Sequence, residues 1–330
     1  MPKKNVNAVV VLGTGGTIAG LAIDTGDNVG YTAAQIGIKA LLEAIPALGD
    51  LPCELISEQV AQVDSKDMSI AVWQRLLVRT SHWLSDPKVR GVVITHGTDT
   101  LEETAYFLHR ALPCDLRASK PVVLTCAMRP ASALNADGPQ NMRDSIAVVL
   151  TPGAKGVVAV CAGTVHTAKD VVKFHTYRLD AFTSGDAGPL AYVEEGAVRL
   201  LKDWPSVTTP IINDAVRNLS VAAVWPRVEI VMNHAGAGGL MVDALLAQSE
   251  SGQVAPLLGI VVAGTGNGSL HQDLEAALLR AQANGVAVLR STRCALGRVI
   301  PVPSATIKPA DGLSPVKARI ALMLELMAFQ

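Results

Sequence analysis

Apolar runs of strand length, most of them followed by a segment of helical period, constrain this chain more than any other feature. They fall at 8–12, 92–95, 121–126, 157–161, 228–232, 257–263 and 286–290. Short continuous runs of this kind suit strands covered on both faces, and the intervening helices supply the cover. The alternation predicts an α/β protein with a mainly parallel sheet.

Helical segments are predicted over 33–45, from Ser65 to about Leu84 with Ile70, Trp73, Leu77 and Leu84 on one face, and from Thr100 onward. In the last of these Thr100 and Glu103 have the spacing of a capping box, and Leu101, Ala105, Leu108 and Leu112 form the buried stripe. Between 177 and 227 the pattern breaks into short segments punctuated by Gly185, Gly188, Pro189, Gly196, Pro205, Pro210 and Pro226. That stretch reads as a hairpin region followed by a linker. Beyond Pro226 the alternation resumes and ends in a helix from Ser314, with Pro315 at its first position and Ala318, Ile320, Leu322, Leu324 and Leu326 downstream. At 330 residues the chain exceeds one ordinary core. The expected organisation is a large N-terminal α/β domain over 1–205, a linker over 206–225 and a smaller C-terminal α/β domain over 226–330.

Two of the predicted strands open into glycine-softened, hydroxyl-rich loops, GTGGTIAG at 13–20 and THGTDTLEET at 95–104. In α/β proteins ligands are held at such strand ends. The first loop is not a dinucleotide fingerprint, because Ile18 stands where the third glycine is needed, and it lacks the Gly-Lys-Ser/Thr of a P-loop. In the second, the capping box accounts for Thr100 and Glu103 and leaves His96, Gly97, Thr98 and Asp99 without a structural duty. Thr98 and Asp99 fall at the start of a helix, where free N–H groups and the helix dipole favour a developing oxyanion. A threonine hydroxyl attacks a carbonyl only when something takes its proton. The histidines lie in no recognised catalytic context, which leaves Lys173 and Tyr31 as further candidates.

Hydrophobic residues make up 49% and charged residues 17%, with a net charge of −1. No basic patch suits nucleic acid or an anionic membrane, so a small molecule is the expected partner. The apolar composition also favours an oligomer. The run after Ala8 is too short for a signal segment and no stretch approaches the roughly 20 apolar residues of a membrane span, so a cytoplasmic location is expected. Five cysteines without C-x-x-C spacing suggest buried thiols and neither a disulfide framework nor a zinc site.

Taken in order, TGGTIAG, Tyr31, DSKDM at 64–68, ITHGTDTLEETAYFL at 94–108, AMRPASALNADGP at 127–139, KDVVK at 169–173 and GTGNG at 264–268 resemble the bacterial-type L-asparaginases over nearly the whole length. The resemblance implies hydrolysis of the side-chain amide of L-asparagine to L-aspartate and ammonia, with no metal or organic cofactor. It also implies a homotetramer of tight dimers, with sites between the N-terminal domain of one subunit and the C-terminal domain of its neighbour. It places the nucleophile on Thr17 with Tyr31 as its partner, and a second triad on Thr98, Asp99 and Lys173. Substrate contacts fall on Ser65, Lys66, the backbone at Gly97, and Asn267 from the neighbouring subunit. Segment 20–31, bounded by Gly20 and Gly30, reads as a lid carrying Tyr31. A neutral base and a charged orienting group both remain open for Lys173. The alternatives are a glutaminase-asparaginase that also takes L-glutamine, and a catalytically silent asparagine sensor on the same scaffold.

Two departures stand out. Lys66 occupies the position after the binding serine where the family usually has Gln or Glu, and it cannot accept from a substrate ammonium. Segment 294–311, CALGRVIPVPSATIKPAD, is short and lacks an evident match for the family's substrate-binding glutamate. Both point to a high KM for asparagine.

Overall fold

Strand β1 (Ala8–Gly15) is buried along its whole length, as a Val-rich run flanked by strands on both edges must be. The computed structural model describes residues 8–206, 225–303 and 305–328, so most of the segment read as a linker, 207–224, lies outside the described residues. By its contacts the chain divides into two units, residues 1–210 and 211–330.

In the first unit β1 pairs with β2 (Glu54–Val63) on one edge and β3 (Val89–Thr95) on the other, both parallel. Strands β4 (Pro121–Thr125) and β5 (Gly156–Cys161) continue the parallel sheet beyond β3. Then β6 (Thr164–Thr167), β9 (Ala191–Glu194) and β10 (Ala197–Leu200) extend it antiparallel, and β7 (Val172–Lys173) and β8 (Phe182–Thr183) make a separate two-stranded ribbon. The order β10-β9-β6-β5-β4-β3-β1-β2 sends the chain from β1 to one side and then back to the other. That reversal opens a crevice beyond the carboxyl ends of β1 and β3. Both threonine loops leave the sheet there.

The helices of this unit are α1 (Ile38–Glu43), α2 (Ile70–Ser85), α3 (Leu101–Ala111), α4 (Cys114–Ser119) and α5 (Gly138–Leu150). Two are shorter than their sequence pattern predicts. Residues 33–37 are strapped to the first loop, with Ala34 N–H donating to Gly16 O at 3.0 Å and Gln35 N–H to Ala19 O at 2.7 Å, so α1 starts only after Gly37. Ser65–Asp67 forms a separate 3-10 turn, and α2 begins after Ser69, whose hydroxyl caps Val72 N–H. The expected capping box at Thr100 is not formed: its hydroxyl donates to Ser65 O at 2.8 Å. The stripe behind it holds, with Leu101, Ala105 and Leu108 all buried. In the hairpin region β9 and β10 are joined through Glu195 and Gly196, both left-handed with φ 50° and 77°, the geometry of a tight I′ turn.

In the second unit β11 (Arg227–Met232), β12 (Leu257–Gly264), β13 (Ala287–Thr292) and β14 (Lys308–Pro309) form a parallel sheet in sequence order. Helices α6 (Leu240–Glu250) and α7 (Gln272–Ala283) bury Val242, Leu274 and Leu278 against Ile260 and Val262. Helix α8 (Pro315–Ala328) crosses β12, and Gly259 leaves room for Leu322, which an added Cβ would meet at 2.8 Å. Ala318, Ile320, Leu322 and Leu324 are buried as expected, whereas Leu326 is half-buried.

Candidate active site

The two threonine loops meet through their glycines. Gly16, with φ 80°, lies against Gly97, and a Cβ on Gly16 would collide with Gly97 N and Cα. A Cβ on Gly97 would in turn collide with the Ser65 side chain. Only a side chain of one hydrogen fits on either residue, so Thr17 and Thr98, the residues that follow them, are carried on loops in backbone contact. Both hydroxyl-bearing residues are buried. Thr14 has a different duty from Thr17: it donates to Thr95 O at 2.7 Å and fastens the first loop to the end of β3.

Thr17 Oγ1 lies 2.6 Å from Tyr31 Oη. The backbone delivers Tyr31 through reciprocal bonds of 2.9 Å between Leu21 and Thr32. Gly20 lets the ring approach, since a Cβ there would meet Tyr31 Cδ2 at 2.9 Å. The base of segment 20–31 is anchored by stretch 131–134: Ala131 N–H donates to Gly20 O at 3.0 Å and Leu134 N–H to Thr25 O at 3.2 Å. Ala22 N–H donates to Ser132 Oγ at 2.8 Å. Beyond that anchor Ile23 and Val29 face solvent. Ser132 lies within the 127–139 motif, and nothing in the local sequence marks its contact with Ala22.

Lys173 Nζ, on β7, donates to Thr98 Oγ1 at 2.8 Å and to Asp99 Oδ1 at 2.6 Å. The side chain of Lys173 is mostly buried and that of Asp99 about half exposed. Asp99 N–H is not free for an oxyanion as its sequence position suggests, because it donates to Ser65 Oγ at 3.2 Å. Ser65 therefore ties the second loop from two sides, its hydroxyl accepting from Asp99 and its carbonyl from Thr100.

His96, left without a duty by the sequence, is fully buried beneath this network. Its Nδ1 lies 2.8 Å from Gly97 O and its Nε2 2.8 Å from Thr104 Oγ1, which accepts from Trp73 Nε1 at 2.8 Å. Burial pushes its pKa down to about 4, so the ring is neutral. A carbonyl only accepts, which fixes the proton on Nδ1 and makes Nε2 the acceptor from Thr104. His96 therefore holds the carbonyl of Gly97 and serves as scaffold. Trp73 and Thr104 stood in predicted helices, and their pairing across 31 residues left no mark on local sequence.

The remaining predicted residues behave differently. Lys66 is exposed, and its Nζ lies 2.7 Å from Asp67 Oδ2 and 3.3 Å from Asp64 Oδ2. The two carboxylates raise its pKa, Asp67 most. Asn267 lies in the second unit, where its amide is engaged on both sides by Ile300: Nδ2 donates to Ile300 O at 3.1 Å and Oδ1 accepts Ile300 N–H at 2.7 Å. Structurally it clamps the stretch after Cys294. The cysteines are not uniformly buried, since Cys294 is exposed and Cys53 and Cys114 are half-buried.

Known proteins resemble both units. Residues 8–206 match the family described as Asparaginase, N-terminal, and residues 227–329 match the Glutaminase/Asparaginase C-terminal domain. L-asparaginase 2 of Bacillus subtilis is 35% identical over 329 residues, covering 98% of this chain and 84% of its own. A glutaminase-asparaginase of Acinetobacter glutaminasificans is 34% identical over 97% of this chain and 95% of its own. The crystal structure of a probable cytoplasmic L-asparaginase from Campylobacter jejuni superposes with a TM-score of 0.88 at 37% identity, covering 97% of this chain and 95% of that one.

Proposed function

Because the chain belongs to the asparaginase family and carries both of its domains, we propose that it hydrolyses the side-chain amide of L-asparagine to L-aspartate and ammonia, with Thr17 as nucleophile. The observation that carries this reading is the pairing of Thr17 Oγ1 with Tyr31 Oη at 2.6 Å, on a loop in backbone contact with the one that holds Thr98, Asp99 and Lys173. Thr17 attacks the amide carbon as Tyr31 relays its proton, giving a β-aspartyl ester and releasing ammonia. Water then cleaves the ester. The Lys173–Thr98–Asp99 group orients the water and moves its proton, and Ser65 with the Gly97 backbone holds the substrate carboxylate. The domains 1–205 and 226–330 would each contribute residues, Asn267 from a neighbouring subunit, in a homotetramer built from tight dimers. A cytoplasmic location agrees with the description of the Campylobacter relative.

L-Glutamine is the second substrate to consider, since a glutaminase-asparaginase is 34% identical to this chain and one methylene is worth only about 1–3 kcal/mol of discrimination. The test is steady-state ammonia release from L-Asn, D-Asn and L-Gln by the wild type and by Thr17→Ala. The expected result is turnover of L-Asn that Thr17→Ala abolishes. Tight binding of asparagine without turnover in the wild type would instead identify an asparagine sensor, and undiminished turnover in Thr17→Ala would remove Thr17 from the chemistry.

A further inference from the structure

Strands β4 and β5 run parallel with Thr125 opposite Val160, so the residues that follow, Cys126 just past β4 and Cys161 at the end of β5, lie side by side. Their sulfurs are 3.2 Å apart. Both are free thiols, 1% and 4% exposed, and the proposed hydrolysis uses neither. The backbone around them is already fastened. Asn141 Nδ2 donates to Cys126 O at 2.9 Å while its Oδ1 accepts Ala162 N–H at 2.9 Å. Thr125 Oγ1 donates across the same pair of strands to Val160 O at 2.9 Å.

We infer that Cys126 and Cys161 form a two-thiol oxidation site, which hydrogen peroxide converts to an intramolecular disulfide stapling the ends of β4 and β5. Paired strands lie about 4.7–4.9 Å apart, inside the Cα separation of about 4.4–6.8 Å that disulfides require. Only the sulfurs have to move, from 3.2 Å to a bond of about 2.05 Å. Cys161, the less buried of the two, reacts first. Its sulfur displaces hydroxide from the peroxide, becoming a sulfenic acid with release of one water. The Cys126 sulfur then attacks that sulfur, forming the S–S bond, and its proton leaves with the hydroxyl as a second water. Peroxide is reduced by two electrons and the thiol pair is oxidised by two.

The hydrogen-bonded Cys161 thiol and burial hold Cys126 protonated, so oxidation is slow compared with that of an exposed cysteine. Because the strand ends hardly move, the disulfide acts as a staple and leaves the catalytic loops in place. It closes a loop between residues 35 apart in sequence, which restricts the unfolded chain and raises stability.

The experiment uses the full chain carrying Cys294→Ser, which removes the exposed thiol. After incubation with millimolar hydrogen peroxide, non-reducing peptide mapping is expected to show Cys126 and Cys161 cross-linked, with two fewer titratable thiols per chain. Dithiothreitol should reverse the loss. The cross-linked protein should unfold several degrees higher and keep its amidase rate within twofold, and adding Cys161→Ser should abolish the thermal shift. Sulfinic acid at either residue without the cross-link would overturn the inference. So would a cross-linked protein that melts lower or loses its rate tenfold.

Discussion

Gly16 and Gly97 touch backbone to backbone, and this contact is what makes one site of two strand-end loops. Gly16→Ala would have to satisfy a φ of 80° and clear the Gly97 backbone, which cannot retreat because Ser65 lies behind it. With ψ at −172° that backbone conformation is open essentially to glycine alone and costs any other residue about 1–3 kcal/mol, and overpacking adds about 1–3 kcal/mol. Gly153→Ala provides the comparison, with φ 77° and nothing within 4 Å of the added Cβ. Thermal unfolding should show a small loss for Gly153→Ala and a larger one for Gly16→Ala. The amidase rate should fall at least 100-fold for Gly16→Ala and stay near wild type for Gly153→Ala. Equal effects would mean that backbone strain matters and the contact does not.

Lys173 reaches both Thr98 and Asp99, so removing its Nζ takes a proton carrier and an anchor from the second loop together. Lys173→Met should lower kcat by about 10²–10⁴, the range for a general acid or base, with KM changed much less. Single-turnover rates with L-asparagine would check this. A variant that loses affinity and keeps its rate would make Lys173 a binding residue only.

Much of this architecture was legible because β1, β3, β4, β5 and β12 are buried on both faces and so read as continuous apolar runs. Strand β2 was missed because it lies at a sheet edge and its residues alternate between polar contacts and partial exposure. Glu58 on that strand binds Arg79 and Trp83, and Gln59 binds Gly13 O and Ile38 N–H. Thr17, Tyr31, Thr98, Asp99 and Lys173 could be named from motifs. The contacts that position them could not, because Ser132 to Ala22 and Thr104 to His96 are pairings between segments whose local patterns do not refer to each other.

His96 makes a pH prediction with a definite sign. Its folded pKa of about 4 lies below the ordinary imidazole value of 6.5, so between these limits the unfolded chain binds a proton that the folded chain refuses. The stability present above pH 6.5 therefore falls as the pH drops and levels out below about 4. From pH 7 to pH 5 the loss amounts to about 2 kcal/mol. Urea unfolding of wild type and His96→Gln at these two pH values isolates it. The wild type should lose that much more than the variant, and parallel losses would show that His96 is protonated in the folded protein. Above pH 6.5, where His96 is neutral in both states, its titration should leave no step in the amidase rate.

Lys66 follows Ser65, whose hydroxyl and carbonyl both hold the second loop, so its charge sits beside the proposed carboxylate-binding position. Asp67 and Asp64 keep that ammonium protonated and partly neutralise it, leaving a cation where the family's usual Gln or Glu would accept from the substrate. Lys66→Gln removes the charge and restores an acceptor. The expected result is a severalfold lower KM for L-asparagine with kcat held within twofold. Because Lys66 stays charged across neutral pH, the difference in KM should persist from pH 6 to pH 9. It should shrink as added salt shortens the reach of an exposed charge to about 3 Å at 1 M. A deaminated substrate, succinamate, separates the two causes: without an ammonium to repel or bind, it should show no gain from Lys66→Gln. An equal gain for both substrates would assign the effect to the geometry of the Ser65 turn, and a micromolar KM in the wild type would show that Lys66 does not weaken binding at all.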